Sequence, residues 1–311
     1  MRILLLLPPI IVLLPTLVIL ITSHRTIKRQ RPSPLREKYI TLITRLLTRN
    51  EPININAYST RSRMALAEAI YIVVSHTYGS DSAPLRRVAE QFHLYRFLMR
   101  RIRLSHGVQR ARLLMIMSAL PPYHYSTEHF ARYIHSQDSN IRISAICLTL
   151  TINSTLAIRS IAMLEYTLSS YDIARIVALL RRGILPIAYE PLLASGNRNL
   201  RMLGLAIVRT FGIEIAERRL HDIILTESDN ALVREAIYTL SSLSRPLHHA
   251  RIREKVDQMT ATERKSLCRH LSAEGYSLPA VRRLFSEEES NYAEILINSY
   301  KRALVHTTTI A

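Results

Sequence analysis

Residues able to carry chemistry gather in three places in this 311-residue chain. "YHYSTEH" sets His124, Glu128 and His129 close together, and imidazole and carboxylate are metal-ligand types. The two histidines stand five apart, whereas the H-E-x-x-H order that puts two ligands on one helical face places them at i and i+4. Pro121 and Pro122 precede them, so the stretch reads as a loop and a helix start. His248 and His249 follow Arg245-Pro246, a turn between helices, where adjacent histidines are solvated. No metal and no cofactor is expected at either place.

The third place is "RRVAEQFHLYRFLMRRIRLSHGVQRAR", residues 86–112. It holds Arg86, Arg87, Arg96, Arg100, Arg101, Arg103, Arg110 and Arg112 against Glu90 alone, a net charge of +7. Arg96, Arg100 and Arg103 are spaced so that a helix presents them on one side, with Phe97, Leu98 and Ile102 turned elsewhere. Arg96, Arg100, Arg101, Arg103, Arg110 and Arg112 are therefore candidate contacts for an anionic lipid headgroup or an acidic partner. The plain alternative is a solvated face whose long stems cover apolar neighbours.

The elements that must position these residues are helical. Tight hairpins favour Asn-Gly or Asp-Gly, and neither pair occurs among the 7 glycines. No phosphate-cradling glycine motif is present either. From Tyr39 onward apolar residues recur at helical spacing: Leu200, Leu203, Ile207, Val208 and Phe211 share one face, as do Val233, Ala236, Ile237, Leu240 and Leu243. Ile141, Ala145, Leu148 and Ile152 form a third such face. Cys147 and Cys268 fall inside these stretches, as reduced core thiols would. "SEEES", 286–290, suits the positive end of a helix beginning near Asn291.

Three segments resemble one another beyond periodicity: "QDSNIRISAICL", "SGNRNLRMLGLAI" and "SDNALVREAIYTL". Each opens on an Asp or Asn turn, followed by an aliphatic residue, an arginine (Arg142, Arg201, Arg234) and then a small residue. Weaker echoes lie at Arg63 and near Arg110. The pattern resembles HEAT repeats over about residues 136–260, and only loosely before that. The resemblance implies an all-α fold of HEAT-like helical hairpins stacked as an α-solenoid over 39–311. Each hairpin buries its apolar face only against its neighbours. Arg142, Arg201 and Arg234 are expected to pair with caps or carbonyls of adjoining units, a structural role.

Ahead of this domain, Ile3 to Ile21 is an apolar run of nineteen residues without charge, and about 20 such residues span a bilayer core. Pro8, Pro9 and Pro15 kink it. The exit, Ile21-Thr22-Ser23-His24, puts a bulky residue where a cleavage site wants a small one. Residues 1–22 therefore read as a retained transmembrane anchor. Residues 23–38 form a basic tether stiffened by Pro32 and Pro34, with Arg25, Lys28, Arg29 and Arg31 flanking the membrane. The positive-inside tendency places the N-terminus outside and the following domain in the cytoplasm.

Forty-two Lys and Arg face 24 acids, a formal +18, and a balance this basic invites anionic partners. Taken together, the sequence predicts a single-pass, membrane-anchored scaffold rather than an enzyme. Its partner would be a protein, in a setting such as an inner-membrane envelope or polysaccharide machine. Nucleic-acid binding through a basic face is the second reading. Against it, the chain has no Trp and 5 Phe, and shows no aromatic–acid pairing to hold a base. An enzyme with an unrecognised groove site ranks last.

Overall fold

The structure, a computed structural model, describes residues 33–49, 53–77, 83–120, 128–181, 188–245, 247 and 250–308. Arg25, Lys28, Arg29, Arg31 and the whole apolar run lie outside them. No helix among the described residues is long and apolar enough to cross a membrane. All regular structure among them is helical, without a strand. The chain divides into two compact units, residues 1–124 and 125–311.

The first unit begins with α1 (Pro34–Arg49). Proline's fixed φ suits a first helical turn, so residues 34–38, assigned above to the tether, are already helical. Tyr39 and Ile43 bury one side of α1, and the Tyr39 hydroxyl donates to the Asn56 carbonyl at 2.7 Å. In α2 (Thr60–His76) the Ser59 side chain caps the first turn by accepting from the Ser62 amide. Ala65, Leu66, Ala67, Ala69, Ile70 and Val73 are all buried. Small residues on several sides of α2 let α1 and two later helices, α4 (Leu94–Leu104) and α5 (Gly107–Ser118), pack against it. Between α2 and α4 runs the short α3 (Ala83–Gln91).

The second unit is repeat-like. Its helices are α6 (Glu128–Ile134), α7 (Ser139–Ile152), α8 (Ser154–Ala162), α9 (Ser170–Leu180), α10 (Tyr189–Ala194) and α11 (Arg198–Phe211). They are followed by α12 (Glu217–Thr226), α13 (Asn230–Ser242), α14 (Ala250–Asp257), α15 (Ala261–Ala273), α16 (Leu278–Arg282) and α17 (Glu287–Thr308). Helices α7, α9, α11, α13, α15 and α17 each pack on the next in that series, while α8, α10, α12 and α16 cover sequence neighbours and α14 packs on α12. One apolar core cluster joins α10 to α17, from Leu193 to Ile297. Among the described residues the main helix contacts are between near neighbours in the chain, the order expected when each hairpin completes its core against the next.

Capping explains where these helices start. Asp138, Asn197 and Asp229 each accept an amide of the incoming first turn, satisfying donors that have no intrahelical partner. Ser169 with Asp172, and Thr260 with Glu263, form reciprocal capping boxes. The acidic cluster belongs to α17, which starts at Glu287, four residues earlier than the sequence suggests. The Glu289 carboxylate reaches back to the Ser286 amide. Gly204 marks a close approach: a Cβ there would meet the Leu193 side chain at 3.0 Å and the Leu193 backbone nitrogen at 3.2 Å.

One detail differs from the sequence reading. Phe211, placed above on the core face with Leu203 and Ile207, is 48% exposed. It is the last residue before Gly212, whose left-handed conformation ends α11, so the core contact runs out beneath it. Arg142, Arg201 and Arg234 do not play one common role. Arg201 pairs with Glu227, and Arg234 with Glu263 at 3.4 Å. Arg264 adds a third such pair, 2.6 Å from Glu289. Among the described residues Arg142 meets no acid; it stacks 3.4 Å from the Tyr166 ring centroid and donates to the Ser136 carbonyl at 2.9 Å. There the next connection is held instead by asparagine, with Asn199 accepting from the Leu168 amide and donating to the Tyr166 carbonyl.

Candidate anion-binding cleft

The basic stretch folds as α3, a reversal and α4. His93 takes a left-handed conformation (φ 52°) at the reversal, which turns the chain sharply between the two helices. In α4, Leu94, Tyr95, Leu98 and Ile102 are buried. Helical periodicity then sends Arg96, Arg100 and Arg103 to the opposite, exposed side, with Arg101 beside them. Arg96 and Arg100 are i,i+4 neighbours and Arg100 and Arg103 are i,i+3 neighbours, spacings at which like charges repel.

A cleft of about 790 Å³ opens along this face, lined by Thr60, Arg63, His93, Arg96, Phe97, Arg100, Arg101, Leu104 and Ser105. Four arginines and no acid form its wall. Phe97 supplies an apolar floor, with the Arg101 guanidinium 5.7 Å from its ring centroid. Arg63 enters from the first turn of α2, and its Nε is buried with no hydrogen-bond partner among the described residues. Among those residues, no carboxylate lies within ion-pair distance of Arg63, Arg96, Arg100, Arg101 or Arg103. A guanidinium offers a planar fork of donors that matches carboxylate and phosphate oxygens. Several forks facing one open cleft without counter-charge are suited to holding an anion.

Arg110 and Arg112, grouped with the others by sequence, are engaged elsewhere. The Arg110 Nε donates to the Ile102 carbonyl at 3.2 Å, closing the C-terminal end of α4. Arg112 donates to Glu68 at 2.8 Å, and Arg36 approaches the same carboxylate at 3.8 Å. Arg103 is exposed but lies outside the cleft lining. Arg63 and His93 were not singled out for binding by the sequence. Arg63 is 33 residues from Arg96, and only its +4 position after a capping Ser59, shared with Arg142 and Arg201, sets it apart.

The other sequence candidates stay apart. His129 is exposed on α6, while His124, His248 and His249 lie outside the described residues. No group of metal-ligating side chains occurs among those described. Cys147 and Cys268 are buried and share no disulfide; burial pushes the Cys268 thiol up to about 11, away from nucleophilic use. No family model, no curated protein and no solved structure matches this chain, so its function has to be read from the geometry.

Proposed function

We propose that this protein is a membrane-anchored, cytoplasmic adaptor built on a HEAT-like α-solenoid. Residues 125–311 supply a surface for a protein partner, and the arginine-lined cleft of the first unit supplies an anion-binding contact. The observation that carries this reading is the unequal treatment of arginine. In the second unit Arg201, Arg209, Arg234 and Arg264 are spent on structure, each neutralised by an acid of a following helix, which suits a rigid platform. In the cleft they are left without counter-charge.

Exposed apolar side chains support a docking role for the second unit. Phe211 and Ile215, the latter 85% exposed, flank the turn after α11, and aromatic residues are enriched at the cores of protein interfaces. The test is cross-linking of the full-length chain in its native membrane, followed by capture under mild detergent. One protein is expected to be recovered in near-stoichiometric amount with the wild type and to be lost from the Phe211→Asp, Ile215→Asp double variant. Equal recovery from both, with helix content unchanged, would exclude that surface.

Nucleic-acid binding remains the second reading, favoured only by the net charge. It predicts affinity for duplex DNA that collapses with added salt in proportion to the phosphates neutralised.

A further inference from the structure

The end of α4 carries a feature that a simple anion cleft does not need. Leu104, its last residue, is 72% exposed, and Val108, in the first turn of α5, is 74% exposed. They stand on either side of the corner formed by Ser105, His106 and Gly107, where the chain reverses with Gly107 at φ 49°. Leu104 also lines the cleft beside Arg100 and Arg101. An exposed aliphatic pair at a chain corner is thus bordered by Arg96, Arg100, Arg101 and Arg103, with no described carboxylate pairing with any of the four.

We infer that this corner docks on the surface of an anionic phospholipid bilayer. Leu104 and Val108 enter the headgroup–acyl boundary, the exposed arginines take surrounding phosphates, and the cleft with Arg63 seats one headgroup. The inference rests on the reading of the cleft as an anion site. Two physical terms favour this occupant over others. Aliphatic side chains gain free energy on leaving water for the acyl boundary, which a soluble anion or a nucleic-acid backbone does not offer. The uncompensated cations gain from the negative potential of an anionic leaflet. The repulsion between Arg96 and Arg100, and between Arg100 and Arg103, is relieved when phosphates lie between them.

The chain contains no tryptophan, so Leu104→Trp and, separately, Val108→Trp introduce a single tryptophan at the corner of the otherwise intact full-length protein, excited at a wavelength the 15 tyrosines do not absorb. Each is reconstituted into vesicles of pure phosphatidylcholine or with about one third phosphatidylglycerol, with and without brominated acyl chains. The expected result is bromolipid quenching and a blue-shifted emission at both positions in anionic vesicles only. Raising salt to 0.5 M, where the Debye length falls to roughly 4 Å, should reverse both. Adding Arg96→Gln, Arg100→Gln and Arg101→Gln should remove the effect, a loss of about 100-fold in surface association at roughly fivefold per arginine.

Quenching independent of lipid charge, or unchanged by the arginine substitutions, would overturn the inference. So would its abolition by 10 mM inorganic phosphate at constant ionic strength, which would assign the cleft to a free anion. Tight binding of duplex DNA without lipid-dependent quenching would assign it to nucleic acid. If partner capture persists while quenching is absent, the lipid contact fails and the adaptor reading stands.

Discussion

Arginine does two different things in the two units. Residues 33–120 carry fourteen cations and five acids, whereas residues 125–311 carry twenty-three and nineteen. The second unit uses its near balance: Arg201, Arg209, Arg234 and Arg264 each reach an acid that follows 25 to 29 residues later. Those acids also do local work, since Glu227 accepts the Ser228 and Asp229 amides and Glu263 caps its own helix. One carboxylate thereby fixes a helix start and ties it to the helix before. Among the described residues of the first unit, Glu68 pairs with Arg36 and Arg112, but from the middle of α2 and not at a helix start. The arginines of α4 are left repelling one another. A residue type that is structural when paired becomes available for binding when the partner is withheld.

The largest effects should come from the second unit's core, where charge has no place. Leu203→Asp or Ile207→Asp puts an unpaired carboxylate at a fully buried position and should destabilise by at least about 4 kcal/mol. Denaturant unfolding measures this directly. Gly204→Ala should follow at about 1–3 kcal/mol, because α10 has to shift away from the new methyl group. Retained stability in that variant would mean that α10 and α11 are less closely packed than described.

Next come the paired arginines. Arg201→Gln leaves Glu227 largely buried and without its cation and should remove about 2 kcal/mol. Arg198 shows how the comparison sharpens. Its Nε lies 2.5 Å from Asp229, the cap of α13. Arg198→Ala should therefore be felt, but only by about 0.5–1 kcal/mol, since that pair is open to water.

Acid should weaken the same unit. The Glu227 carboxyl is held below its ordinary range: burial opposes its charge, but the Asp229 and Ser228 amides and Arg201 outweigh that. Glu263 is lowered chiefly by the Thr260 amide and hydroxyl. Glu289 is also lowered, with burial overcome by Arg264 and Ser286. A depressed folded value contributes stability that is present above the unfolded value of about 4.3 and lost as pH falls through the folded one. Helix content followed from pH 6 to pH 2 should fall below about pH 4, with a shallower pH dependence in Arg201→Gln.

The smallest effect on stability belongs to α4. Arg100→Glu converts two repulsive neighbours into attractive ones and should stabilise the chain by up to about 0.5–1 kcal/mol while removing anionic-surface binding. A loss of stability there would show that Arg100 has a structural partner.

Much of this was legible in the sequence because helical periodicity is local. Leu203 and Ile207 fall on the buried face of α11 as predicted, and the +4 and +7 spacing of Arg96, Arg100 and Arg103 places them on one exposed face. Partners were less legible, because pairing is long-range. Nothing near Arg201 announces Glu227, and nothing near Arg96 announces Arg63. Local charge counts also grouped Arg110 and Arg112 with the cleft, although one closes a helix end and the other binds Glu68. Phe211 fits the core period but lies past the end of the core, a limit set by Gly212 and by the packing beneath it.

The most direct test of the contrast compares thermal unfolding of two triple variants that remove the same charge. Arg201→Gln, Arg234→Gln, Arg264→Gln should lower the Tm by about 10 °C, from three pairs worth roughly 1–2 kcal/mol each. Arg96→Gln, Arg100→Gln, Arg101→Gln should leave it unchanged within about 2 °C or raise it slightly. Equal losses in the two variants, or the larger loss in α4, would contradict the division of arginine into structural and binding roles.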